Sequence, residues 1–344
     1  MANKTMFDEP IGVIGAGSWG TALSKLLSDR GQGVVLWARK TELAAAIQKE
    51  RENTTYLPGY RLTDRVFATA DLKHTVRSSR ALIIVVPSHG FRKILEEIRL
   101  DIKPDTFILS ATKGIENETL YTMSQIMGEI LPLESRQNIA VLTGPSFAKE
   151  VAEEMPTAVT VGSERLDVAF YFQKILSSER FRVYTSSDML GLEFGGAIKN
   201  IIAIAAGISD GLGFGTNTRA ALITRGLAEI IRLGRVMGAN PMTFSGLGGL
   251  GDLILTCTGD LSRNRMVGLK LGQGQTLGEI MSSMKMVAEG IKTTKSVYCL
   301  AKRHNVEMPI TEQVYQVLYL DKSPRDAVRE LLTRDLKEEL GPCQ

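Results

Sequence analysis

Two glycine-rich turns, a lysine set in an apolar stretch and a Ser-Arg-Asn tripeptide carry the residue types that could do chemistry in this chain. Gly15-Ala16-Gly17-Ser18-Trp19-Gly20 is a G-x-G-x-x-G that directly follows the apolar run Ile11–Ile14 and opens a helical pattern. In that setting Gly15 permits the tight turn, Gly17 lets a pyrophosphate approach the backbone, and Gly20 lets helix and strand pack closely. The helix N-terminus adds N–H groups and partial positive charge aimed at the phosphates. A ligand-free glycine turn could have the same spelling, but it has no need of a strand before it and a helix after it. The next apolar run ends in Trp37-Ala38-Arg39-Lys40. Where an acid would bond a ribose 2′-hydroxyl, Arg39 and Lys40 stand instead. Two cations suit a 2′-phosphate, so NADPH is favoured over NADH, although a solvated charge pair has the same sequence.

Phe194 to Ile202 places Lys199 among apolar residues on a helical pattern. A lysine there either snorkels to water or is held in a cleft, where desolvation lowers its pKa and makes it a usable acid or base. Reducing a carbonyl takes a hydride on carbon and a proton on oxygen. With only His74, His89 and His304 in the chain, a lysine is a reasonable acid, and His89 is expected to be structural. The second glycine-rich turn, Ser245 to Gly251, runs into Asp252, which is placed to orient Lys199, to cap the helix that begins at Leu253, or to do both. Ser262-Arg263-Asn264 joins hydroxyl, guanidinium and amide, which together bind a phosphate monoester or simply make a polar turn. Lys113-Gly114 and Gly144-Pro145-Ser146 each follow a strand-like run, at the sheet edge where open α/β folds bind ligands.

The elements that must position these residues change character along the chain. Ile11–Ile14, Val34–Trp37, Ala81–Val86, Phe107–Leu109, Ile139–Leu142 and Ala158–Val161 are expected strands, alternating with helical patterns. That alternation implies a mostly parallel sheet covered on both faces. Beyond about Ser187 helical patterns dominate, as in Ala220 to Met237, so residues 1–190 are expected to bind the dinucleotide and 191–344 to form an α-helical substrate domain. A length of 344 residues fits two domains at roughly 150 each. Glycines 211, 213 and 215 are a place where a lid could hinge.

Hydrophobic residues at 44% and charged residues at 23% exclude a largely disordered chain. A net charge of 41 − 38 = +3 does not predict nucleic-acid binding. Cys257, Cys299 and Cys343 form no C-x-x-C, and the histidines no ligand pair, so neither a disulfide framework nor a metal site is expected. No G-x-x-x-x-G-K-[ST] supports a P-loop hydrolase. The most apolar stretch, Gly195 to Gly207, is interrupted by Lys199, and neither a membrane span nor a signal peptide is expected; the cytoplasm is the expected compartment.

Taken in order, the motifs resemble bacterial-type NAD(P)-dependent glycerol-3-phosphate dehydrogenase from Ile11 to about Tyr319. They are Gly-Ala-Gly-Ser-Trp-Gly-Thr-Ala-Leu from Gly15, Val-Pro-Ser-His from Val86, Ala-Thr-Lys-Gly from Ala111 and Thr-Gly-Pro-Ser-Phe-Ala-Lys-Glu from Thr143. Lys-Asn at Lys199, Gly-Leu-Gly-Asp-Leu from Gly249, Ser-Arg-Asn-Arg from Ser262, Val-Ala-Glu-Gly from Val287 and Met-Pro-Ile-Thr from Met308 complete the set. The resemblance implies an N-terminal Rossmann-type doubly wound domain, an all-α C-terminal domain and a substrate cleft between them. It implies interconversion of dihydroxyacetone phosphate and sn-glycerol 3-phosphate, a supply of glycerol phosphate for phospholipids, and a homodimer. Lys199 then matches the proton acceptor of the oxidative direction, with Asp252 and Asn200 as its polar neighbours. Lys113, Gly144, Ser146, Ser262, Arg263 and Asn264 match substrate contacts. Ser18, Trp19, Arg39, Tyr56, Lys113, Ala148, Arg263, Val287 and Glu289 match cofactor contacts.

Two other readings fit parts of the pattern. A dehydrogenase of the 6-phosphogluconate or ketopantoate type shares the plan but needs a carboxylate site, whereas Ser262–Asn264 suits a phosphate. A non-catalytic dinucleotide sensor would keep Gly15–Gly20 but has no use for Lys199, Asp252 and Arg263 together.

Overall fold

The computed structural model describes residues 9–284, 288–336 and 338–339. Its N-terminal part alternates strand and helix. The strands are β1 (Ile11–Ile14), β2 (Val34–Trp37), β3 (Glu52–Asn53), β4 (Leu57–Arg61), β5 (Val66–Thr69), β6 (Ala81–Ile84), β7 (Phe107–Ser110), β8 (Ile139–Thr143), β9 (Thr157–Gly162) and β10 (Phe181–Ser186). Between them run α1 (Ser18–Asp29), α2 (Thr41–Glu50), α3 (Leu72–Arg77), α4 (Ser88–Ile98), α5 (Met123–Ile130), α6 (Ala148–Ala152) and α7 (Leu166–Leu176). Eight strands form one sheet in the order β10-β9-β8-β7-β6-β1-β2-β5, parallel except where β8 meets β9. β3 and β4 pair as a separate hairpin. Every residue of β1, β2, β6 and β7 is buried, because helices cover both faces of the sheet. The chain leaves β1 toward β2 on one side, and β6 pairs on the other. This is the topological switch point where such sheets open a crevice for ligands.

The helical part follows: α8 (Met189–Gly211), α9 (Thr216–Val236), α10 (Asp252–Thr258), α11 (Arg263–Gly272), α12 (Leu277–Ser283), α13 (Glu289–Arg303), α14 (Pro309–Tyr319) and α15 (Pro324–Leu332). A single π-helical turn, Leu247–Gly251, feeds α10. The side chain of Asp188 caps α8 by accepting from the Gly191 N–H at 2.9 Å. By length and composition α8 could cross a membrane, yet 94% of its most apolar window is buried inside the fold. It is apolar all round because neighbours pack on every side, and it forms the axis of the helical core.

One of those neighbours comes unusually close. Gly207 and Gly211 on α8 face Gly268 and Gly272 on α11. A Cβ at any of the four would collide with a carbonyl oxygen of the other helix: Arg265, Leu269, Ile204 and Ile208 respectively. Small residues four apart on both helices let the backbones touch. Gly211 is therefore a packing residue, which leaves Gly213 and Gly215 as the places where a lid could hinge. Gly213 and Gly215 face open space, Gly213 with φ +82°. Gly268→Ala is expected to cost about 2–3 kcal/mol in denaturant unfolding, since added volume in a filled contact forces the backbones apart. Gly278→Ala, in α12 with nothing near its Cβ position, is the control and should be neutral or stabilising. Equal stability of the two variants would remove the close contact as a source of stability.

Candidate active site

The glycine turn after β1 is shaped by contacts that leave no room for side chains at two positions. Gly15 has φ +121°, and a Cβ there would lie 2.5 Å from the Val85 carbonyl oxygen. A Cβ on Gly20 would strike the carbonyl of Gly15. Above Gly17 the space is open. Gly17 is the N-cap of α1 and supplies no side-chain cap, so the first-turn N–H groups are available to an anion. Asn53, fully buried, holds this turn in place. Its Nδ2 donates to the Ala16 carbonyl (2.9 Å) and to Thr21 Oγ1 (2.8 Å), and its Oδ1 accepts from the Tyr56 N–H (3.1 Å). Ser18 Oγ donates to the Tyr56 carbonyl at 2.6 Å, which brings these two sequence-expected contacts together. Asn53 was not singled out in the sequence, although an Asn three residues before Tyr56 is an Asx-turn signal.

The indole Nε1 of Trp19 is buried without a hydrogen-bond partner among the described residues, and Trp19 and Ala148 both pack on the core beside α1. Arg39 and Lys40 lie exposed just past the end of β2. Glu289, the first residue of α13, reaches the other part of the fold. It accepts from Ser88 Oγ at 2.5 Å and from the Ser88 N–H at 3.4 Å. Next to it, His89 is pulled below the ordinary imidazole value, by burial first and then by Lys292 and Arg39. Val287 lies outside the described residues. The open backbone at Gly17, the uncapped helix end and the orphaned indole fit a dinucleotide.

The chemistry expected at Lys199 has a built setting. Lys199 comes from the middle of α8 and is only 5% exposed, so the snorkelling alternative does not hold. Its Nζ donates to Asp252 Oδ1 and to Thr256 Oγ1 (2.9 Å). Asp252, 1% exposed, receives a second lysine on its other oxygen: Lys113 Nζ donates to Oδ2 at 2.8 Å and to the Gly144 carbonyl at 3.1 Å. Thr143 Oγ1 lies 3.5 Å from the same Oδ2. Asp252 is no cap, since its backbone is already helical and α10 continues the preceding turn. Gly144 has φ +137°, and a Cβ there would meet the Val159 backbone. Ser146 Oγ donates to the Gly144 carbonyl at 3.0 Å.

The electrostatics follow from one carboxylate between two ammonium groups. Burial pushes the Lys199 ammonium down to about 7; Asp252 works against that shift and Lys113 adds to it. Burial alone would raise Asp252, but the charges of Lys113 and Lys199 outweigh it and hold the carboxyl below its usual range. The result is a carboxylate that stays ionised beside a lysine able to gain or lose a proton near neutrality. Thr256 was missed in the sequence; its place four residues after Asp252, on one face of α10, is the signal that could have found it.

The Ser-Arg-Asn tripeptide opens α11 beside this cluster. Ser262 Oγ caps the helix by accepting from the Arg265 N–H at 3.2 Å. Asn264 is buried, donating to Asn200 Oδ1 at 2.9 Å and accepting from the Gly290 N–H at 2.9 Å. Asn200 adjoins Lys199 in sequence, so the start of α11 is pinned to the helix that carries the lysine. Arg263 is exposed at the helix start. A capped helix N-terminus with a guanidinium beside it can hold a phosphate.

Comparison with known proteins identifies the family. Residues 10–169 match the family described as NAD-dependent glycerol-3-phosphate dehydrogenase N-terminus, and residues 188–329 match its C-terminus. The chain is 57% identical over 331 residues to the glycerol-3-phosphate dehydrogenase [NAD(P)+] of Citrifermentans bemidjiense, covering 96% of this chain and 99% of that protein. It is 55% identical over 331 residues to the enzyme of the same name from Syntrophobacter fumaroxidans, covering 96% and 97%. Among solved structures, glycerol-3-phosphate dehydrogenase from Coxiella burnetii superposes with a TM-score of 0.91 at 42% identity, covering 95% of this chain and all of that one. A ketopantoate reductase from Ralstonia eutropha shares the fold at a TM-score of 0.58 but only 14% identity, with coverage of 93% and 99%.

Proposed function

This chain belongs to the NAD-dependent glycerol-3-phosphate dehydrogenase family, and from that premise we propose which of its residues carry the reaction. The enzyme interconverts dihydroxyacetone phosphate and sn-glycerol 3-phosphate with NAD(P)H. The observation that carries the assignment is Lys199 buried against Asp252, with Lys113 on the other carboxylate oxygen. When bound, the reduced nicotinamide supplies the hydride. Lys199 Nζ gives its proton to the carbonyl oxygen that becomes the hydroxyl, and takes it back in the oxidative direction. Asp252 and Thr256 fix the direction of that ammonium group. Lys113, Gly144 and Ser146 border the reacting end. Ser262, Arg263, Asn264 and the α11 N-terminus take the phosphate, and Asn200 holds Asn264 in place.

Gly15, Gly17, Ser18, Trp19, Gly20, Tyr56, Ala148 and Glu289 are proposed to receive the dinucleotide, together with Lys113 and Arg263 where the two ligands meet. Arg39 and Lys40 select the 2′-phosphate, so NADPH is the preferred reductant. The start of α8 at Met189 supports a boundary between the cofactor part and the substrate part at about residue 190. Family likeness supports a homodimer in the cytoplasm that supplies glycerol phosphate for phospholipid synthesis. The ketopantoate-type alternative keeps only the shared fold, and a sensor leaves the buried lysine cluster without a use.

The test is the initial rate of NADPH and of NADH oxidation with dihydroxyacetone phosphate, set beside dihydroxyacetone. Turnover that depends on the phosphate and is at least about tenfold better in kcat/KM with NADPH is expected, one well-made charged contact being worth roughly that factor. Equal efficiency with NADH would remove Arg39 and Lys40 from cofactor choice. Equal turnover without the phosphate would remove the α11 anchor.

A further inference from the structure

Two charges sit at the wrong ends of their helices. Asp210 lies in the last turn of α8, where a carboxylate opposes the helix dipole, and Arg265 lies in the first turn of α11, where a cation does. Each is compensated by the other. Arg265 Nε donates to Asp210 Oδ2 at 2.8 Å, with Nη2 also 2.8 Å from that oxygen. Arg219 Nε and Nη2 occupy the other oxygen at 3.1 and 2.6 Å. The remaining arm of Arg265 donates from Nη1 to Asp260 Oδ1 at 2.9 Å, and its backbone N–H donates to Ser262 Oγ. Asp260 and Ser262 belong to the short loop that joins α10, the helix of Asp252 and Thr256, to the start of α11. One side chain therefore grips both that loop and the helix that carries Lys199. Asp210 stands eleven residues after Lys199, close to three full turns, on the same face of α8.

We propose that Arg265, locked to Asp210, is a positioning residue that sets the phosphate anchor at the start of α11 against the catalytic lysine. The proposal rests on the site assignment above. Arg265 is not itself a phosphate ligand. Its charge and that of Arg219 are matched by Asp210 and Asp260, so the four side chains form a neutral group. Arg263, two residues earlier at the helix start, is the guanidinium proposed above to meet the anion. Local choices that break a helix rule and are repaired by a distant partner mark a position held for function.

The experiment uses the full chain with Arg265→Met, which keeps length and removes the fork. Rates are read with dihydroxyacetone phosphate and with dihydroxyacetone, and NADPH binding by fluorescence titration. The KM for the phosphorylated substrate is expected to rise about tenfold while kcat stays within about threefold, because a displaced anchor costs binding before chemistry. Turnover of dihydroxyacetone and NADPH affinity should not move. Equal losses on both substrates, or an unchanged KM, would overturn the proposal. If the wild-type enzyme itself gave no phosphate-dependent turnover, the site assignment would fail instead. Should the methionine variant not fold, Asp260→Ala decides. That side chain is 95% exposed, and releasing the loop from Arg265 should raise KM about two- to threefold with kcat unchanged. No change in KM would then sink the idea.

Discussion

Lys199→Ala is expected to lower turnover of dihydroxyacetone phosphate by about 10³-fold, near the middle of the range for loss of a positioned proton donor. NADPH should bind nearly as before, because the glycine turn and Asn53 lie in the other part of the fold. Asp252 keeps Lys113 as its partner in the variant, so the carboxylate is not left uncompensated. The native pH profile carries the same signature. Reduction needs the protonated lysine, so its rate should fall as pH rises through about 7; oxidation needs the free amine and should fall as pH drops below about 7. Rate measurements in both directions from pH 5.5 to 9, with NADPH titrated by fluorescence, check both statements. Turnover retained in the alanine variant would exclude Lys199 as the proton donor.

Asp252→Asn should be nearly as damaging, by a different route. Its charge is what holds Lys199 up against burial and the repulsion of Lys113. Without it, two ammonium groups share a buried pocket with no anion, and Lys199 loses its proton at lower pH than in the native enzyme. Reduction at neutral pH should drop by about 10²- to 10³-fold, the cost of emptying and misorienting a catalytic acid. The descending limb of the pH profile should move to lower pH, so that part of the loss is recovered on acidification. A loss of equal size at every pH would mean that Asp252 acts through shape alone.

Much of this site is legible in the sequence, because its residues fall in short local motifs. The glycine turn declares itself by the strand before it and the helix after it, and β1, β2, β6, β7, β8 and β9 by continuous apolar runs. β5 and β10 escape that reading. Both are edge strands that alternate buried and exposed residues: Phe181–Ser186 is broken by Arg182, and in Val66–Thr69 the apolar Phe67 faces out, so its short apolar run does not mark a buried strand. The state of Lys199 also lies beyond local reading. A lysine on an apolar helix is the same sequence whether it snorkels or is buried, and its partners Asp252 and Thr256 are 53 and 57 residues away. Lys113 meets Asp252 across 139 residues. The glycine pairs of α8 and α11 show their spacing of four in the sequence, but only the fold shows that the two pairs face each other.

That backbone-to-backbone seam makes the active site a caliper. On the proposed assignment one jaw is the lysine on α8 and the other is the phosphate anchor at the head of α11. Between Gly207, Gly211, Gly268 and Gly272 there is no side chain whose rotamer could change to open or narrow the gap. The spacing of the two helices at the seam is set by the main chain, and the Arg265–Asp210 lock trims the anchor at its head. On that assignment the seam gauges length: a phosphorylated ketone with one more carbon between carbonyl and phosphate is expected to be a poorer substrate than dihydroxyacetone phosphate.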